Sequence, residues 1–145
     1  MNRALAADGV IYVLQGIAHA GTNQGQLAKI WREHDHFTSH VIARYPSEPV
    51  DWIRRRDGTW LIATWTAIWE TREGAPSAIA ARLPDIMSYP TSLVGTADGT
   101  LFVGTRGGVV RLSPAWPDVP RYAADFLWKP GSPRRDCHAV TNATE

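Results

Sequence analysis

The sequence predicts an all-β protein made of three four-stranded antiparallel units. Three observations carry that expectation. Asp8-Gly9, Asp57-Gly58 and Asp98-Gly99 each open a matching run: DGVIYVLQG, DGTWLIATWTAIWET and DGTLFVGTRGGVVRLSP. Aligned on the aspartates, Ile11, Trp60 and Leu101 coincide, as do Tyr12, Leu61 and Phe102, and then Val13, Ile62 and Val103. The copies recur at intervals of about 40 to 50 residues, enough for four short strands apiece.

An Asp-Gly pair between two apolar runs signals a hairpin, because glycine reaches positive φ without a Cβ clash and aspartate tolerates the neighbouring turn position. The runs that follow are β-branched and aromatic, roughly five residues long, and apolar at successive positions, which is the pattern of strands covered on both faces. In chain order, residues 2–7 form the innermost strand of the first unit and residues 9–16 its second. Residues 17–25 are a Gly-, Asn- and Gln-rich insertion read as a loop. Residues 27–32 are the third strand, 33–36 a polar turn and 37–43 the fourth. Pro46 and Pro49 mark the passage to the second unit, in which 51–56 enter the hairpin at Asp57 and 77–83 supply the outer strand. A Pro-containing connection over 84–90 leads to the third unit. There, residues 92–97 enter the corner at Asp98, Arg106-Gly107-Gly108 forms the next turn, 109–112 the third strand and 122–128 the fourth. Units of about 1–46, 47–86 and 87–130 result, with 131–145 as a tail.

Four-stranded units stacked so that both faces are covered are the blades of a β-propeller. The third copy resembles the short repeat of the propeller sensor domains of two-component regulators. The residues that carry the resemblance are Asp98, Gly99, Thr100, Leu101, Phe102, Val103, Gly104, Thr105, Gly107, Gly108, Val110, Arg111 and Pro114. The second copy departs from the pattern at Ala63-Thr64 and Trp65-Thr66, and the first at Leu14-Gln15 and the insertion. The resemblance implies a fold more than a task.

Bulk properties narrow the function classes. A formal net charge of +1 makes neither nucleic acid nor an anionic membrane the expected partner. The single Cys137 leaves no intrachain disulfide framework. No apolar run approaches the roughly 20 residues that span a bilayer, and the apolar stretch near the N-terminus is interrupted by Asp8 and Gly9, so a cytoplasmic location is expected. Three blades fall short of the four to eight of closed propellers, and an open arc would leave two broad apolar faces in water. The expected partner is therefore a second copy that completes a ring, or a protein or small-molecule ligand; a segment of a longer propeller and a compact monomer that hides those faces some other way are the other solutions.

Ligands of propellers meet the end where loops between second and third strands join the blade connections. That end should carry His19, Thr22, Asn23 and Gln24 from the insertion, Trp65 and Thr66, Arg106 and, from the connections, Tyr89 and Glu48. These residues, Thr22, Thr66 and Glu48 excepted, are the candidate binding set. His34, Asp35, His36 and His40 have ligand chemistry suited to zinc, but they fall at a solvent-side turn, so no metal site is expected. Arg54, Arg55 and Arg56 fall on a channel-lining strand, where Arg54 and Arg56 could bind an anion together, but pairing with acidic neighbours or snorkelling to water is the preferred reading. Trp31, Trp60 and Trp69 read as inter-blade core, whereas Trp65 and Trp116 are better placed to meet a sugar. The Asn142-Ala143-Thr144 sequon and Cys137 lie in the tail. No nucleophile, metal-protease, P-loop or dinucleotide motif is present, and no catalytic residue or cofactor is assigned. The expectation is a non-catalytic binding or interaction module. Its rivals are a propeller lyase or hydrolase using His19 with channel residues, and a piece of a longer sensor.

Overall fold

The computed structural model describes residues 2–19, 22–83, 89–114 and 122–128, with side chains for 3–16, 24–83 and 89–114. The described chain is twelve strands in three four-stranded antiparallel sheets, none closed into a barrel. The first sheet holds β1 (Asn2–Ala7), β2 (Val10–His19), β3 (Thr22–Glu33) and β4 (His36–Tyr45). The second holds β5 (Pro49–Arg54), β6 (Trp60–Thr64), β7 (Ala67–Thr71) and β8 (Ala78–Arg82), and the third β9 (Pro90–Gly95), β10 (Leu101–Thr105), β11 (Gly108–Pro114) and β12 (Tyr122–Trp128). Within each sheet the strands lie in sequence order. The arrangement is a propeller-like stack of three blades, with β5 packed against both β2 and β9.

Two cores join the blades. Tyr12, Leu14, Leu27 and Tyr45 of the first sheet meet Trp60 and Ile62 of the second. On the opposite side of the second sheet, Leu61, Ala63 and Ile68 meet Leu93, Leu101, Val103, Val110 and Leu112 of the third. Every residue of β6 is buried, because alternate side chains enter alternate cores; this is why its sequence lacks the polar interruptions of a one-sided strand. Trp60 is the largest contributor to the first junction, with ring centres 4.8 Å from Tyr12 and 5.0 Å from Trp52.

The three Asp-Gly corners do turn, but not in one conformation. In the second and third sheets the glycine amide donates to the carbonyl three residues back, Gly58 to Arg55 at 3.1 Å and Gly99 to Thr96 at 3.0 Å. Gly58 and Gly99 then sit at φ of 81° and 87°, a three-residue loop closed by a left-handed glycine. The side chains finish the turn: Asp57 Oδ1 accepts from the Thr59 amide and Asp98 Oδ1 from the Thr100 amide, both at 3.0 Å. In the first sheet Ala7 lies directly opposite Val10, so the loop is only two residues, and Asp8 (φ 56°) as well as Gly9 (φ 74°) is left-handed.

Two expectations are corrected. Residues 17–19 and 22–25 of the expected loop are paired strand instead, because the β2–β3 ladder continues through Ile17 opposite Gln24 and Ala18 opposite Asn23 to His19 opposite Thr22. Paired backbone groups are satisfied more fully than those of a loop, so these residues extend the hairpin into an arm. Nor do Arg54, Arg55 and Arg56 all lie on the strand, while the expected pairing with an acidic neighbour is found at Arg54. β5 ends at Arg54, whose guanidinium lies 3.0 Å from Asp8 and over the rings of Tyr12 and Trp60 at 5.0 and 5.5 Å. Arg55 pairs with Glu70 at 4.0 Å, and Arg56 is in the turn.

One polar side chain ties the three inner strands together. Asp51 on β5 is 5% exposed. It accepts from the Arg3 guanidinium on β1, from the Leu93 amide on β9 at 2.8 Å and from the Trp52 amide beside it at 2.8 Å. At the same offset from the other Asp-Gly corners stand Asn2 and Ser92, so the repeat carries no sign of this role.

Candidate functional site

The β6–β7 and β10–β11 turns meet Tyr89, just ahead of β9, at one end of the stack. The two turns are built alike. Thr64 Oγ1 donates to the Ala67 carbonyl at 3.0 Å, and Thr105 Oγ1 donates to the Gly108 carbonyl at 2.9 Å. The threonine shared by the second and third copies is thus a clamp across the hairpin mouth around two intervening residues: Trp65-Thr66 in one blade, where Trp65 is half-buried against the core between the second and third sheets, and Arg106-Gly107 in the next.

Three of the six candidate residues converge there. Tyr89, in the connection entering the third blade, stands edge-on to Trp65 with ring centres 5.4 Å apart. The Arg106 guanidinium lies 6.0 Å from the Tyr89 ring centre. The Arg106 amide donates to the Tyr89 carbonyl at 3.1 Å, so backbone and side chain are both tied to the neighbouring turn. Tyr89 is 52% exposed and adopts φ 61°. A left-handed backbone at a bulky non-glycine residue carries a strain of order 1–3 kcal/mol; here it presents a phenol ring to solvent. Among the described residues no carboxylate forms an ion pair with Arg106.

The other candidates belong to the first blade. His19 and Asn23 are at the end of the β2–β3 arm, opposite Thr22 and Ala18 in register, and their side chains lie outside the described set. Gln24 is exposed and lines a groove of about 450 Å³ together with Gln15, Gln26, Arg44, Tyr45 and Pro46. Sequence reasoning missed this groove. Gln15, Gln26 and Arg44 stand opposite one another across β2, β3 and β4, with Gln26 Nε2 donating to Gln15 Oε1 at 2.7 Å. The row is visible in sequence only once the arm is known to be paired. Below it, Gly25 and Gly16 let the chain cross: a Cβ on Gly25 would lie 2.0 Å from Pro49 Cδ, and one on Gly16 2.5 Å from Glu48 Cγ.

Among the described residues three ionisable groups are shifted. Burial pushes the Tyr45 hydroxyl up to about 12, partly offset by its 2.9 Å hydrogen bond to Thr71. The Thr59 amide holds the Asp57 carboxyl below its ordinary value. Asp98 is lowered chiefly by the Thr96 hydroxyl, and further by the Thr100 amide. All three shifts arise from burial and contacts within the fold. Around His34, left-handed at φ 55°, Asp35 and His36 are solvent-exposed at the β3–β4 turn. Among the described residues no group of three or more His, Cys, Asp or Glu is placed to hold a metal ion. Likewise, among the described residues no helix is long and apolar enough to cross a membrane. Trp116, Cys137 and Asn142 lie outside the described residues. No protein family, curated protein or solved structure matches the chain.

Proposed function

We propose that the protein is a non-catalytic binding module, with its contact surface at Trp65, Tyr89 and Arg106. The supporting observation is the Tyr89 ring, held outward by a strained backbone between an indole edge and a guanidinium that has no acidic partner among the described residues. Strain of this kind is retained where the displayed side chain is used. The chemistry favours a ligand with a flat apolar group to lie on the rings and a carboxylate beside it for Arg106.

Phenylacetate is the simplest probe, and neutral phenylacetamide its control. In a heteronuclear NMR titration, phenylacetate should shift the Trp65 indole and the Arg106 amide, and phenylacetamide should do so more weakly. Arg106→Gln should weaken phenylacetate binding roughly tenfold, since a charge-assisted hydrogen bond contributes about 1.5–3 kcal/mol. Shifts confined to other residues, or equal responses to acid and amide, would remove this reading.

A further inference from the structure

The outer faces of the first and third blades are the two halves of a junction that the chain already makes twice. In β6, Trp60 and Ile62 face the preceding sheet, and in β10 the aligned Leu101 and Val103 do the same. Their counterparts in β2 are Ile11 and Val13, on the side of the first sheet away from the second. Ile11 is 42% exposed. The register adds Ala6 and Ile30 beside Ile11, and Ala4 and Ala28 beside Val13.

The same holds at the other end of the stack. Tyr12 and Leu14 of β2 face the following sheet, as do the aligned Leu61 and Ala63 of β6. In β10 these positions are Phe102 and Gly104, directed away from the second sheet. Val94, opposite Phe102 in register, is 58% exposed. Each blade thus uses one face for its predecessor and the other for its successor. What the first blade lacks is a surface like that of the third, and the reverse.

We infer that a second copy of this chain covers both faces, the Val94–Phe102 face of each docking on the Ile11–Val13 face of the other. Two arcs of three blades make six, within the four to eight that closed rings contain, whereas three arcs would exceed it. Closure by two equal head-to-tail junctions satisfies both apolar faces of both copies and leaves none to propagate a fibre. Pairing two Ile11 faces would instead set sheets in a relation that occurs nowhere in the chain. The inference rests on sheet packing and is independent of the ligand patch.

Light scattering after size exclusion, over a concentration series, should return twice the mass of one chain. Ile11→Lys and Val94→Glu alter exposed positions on opposite faces, so circular dichroism should be unchanged, while each variant alone should have the mass of a single chain. An equimolar mixture of Ile11→Lys with Val94→Glu should regain the double mass, because the intact Val94 face of one variant meets the intact Ile11 face of the other and the second junction sets the introduced ammonium beside the introduced carboxylate. A wild-type chain that stays single would overturn the inference. So would a variant that still pairs alone, which indicates a like-with-like interface, or a mixture that fails to complement.

Discussion

Replacing Asp51 by Asn tests whether one carboxylate holds the three inner strands together. The change keeps shape and volume but turns one acceptor oxygen into a donor. If the remaining oxygen stays with Arg3 and the Trp52 amide, the new amino group faces the Leu93 amide, which now donates at 2.8 Å. A buried donor set against another donor costs about 1–3 kcal/mol. Loss of charge opposite Arg3, whose side chain is 41% exposed, adds roughly 0.5–1 kcal/mol after solvent screening. The reversed rotamer orphans two donors instead of one. A loss of about 2–3 kcal/mol follows, visible in urea as a lower midpoint with unchanged slope. Amide exchange should accelerate at Leu93 in particular. Arg3→Gln should cost under about 1 kcal/mol, because the two backbone donors keep their acceptor. A loss below about 0.5 kcal/mol in Asp51→Asn, or a Leu93 amide as protected as before, would refute the assignment.

Three further outcomes are expected. Gly25→Ala should lose at least about 1–3 kcal/mol in urea unfolding through its clash with Pro49. Gly107→Ala, whose added Cβ meets nothing within 4 Å, should stay within about 0.5 kcal/mol of wild type. The raised Tyr45 hydroxyl makes folded protein hold its proton longer than the unfolded chain. Stability is therefore full below pH 10 and falls as pH rises toward about 12; Tyr45→Phe should remove that alkaline loss, and an identical pH profile for both proteins would disprove the cause.

Local chemistry accounts for what was legible. Asp57-Gly58 and Asp98-Gly99 announce their corners because positive φ and a side-chain acceptor are properties of those two residues alone. The Trp65–Tyr89–Arg106 convergence was foreseeable as a shared end, since turns between equivalent strands of stacked blades must fall together. Its geometry was not, because Tyr89 at φ 61° is a conformation that no preference of tyrosine suggests. The arm over Ile17 to Gln24 read as a loop because glycine, asparagine and glutamine have weak strand preference; pairing with an adjacent strand overrode it.

Residue order alone was enough for three units, their strand sequence and the burial of Leu61, Ile62 and Val103, since periodicity and turn chemistry act over a few neighbours. Contacts such as Asp51 to Arg3 and Leu93 join residues far apart in the chain. They exist only because the sheets stack, and the stacking also selects which of the exposed apolar residues, Ile11 and Val94 among them, stay uncovered.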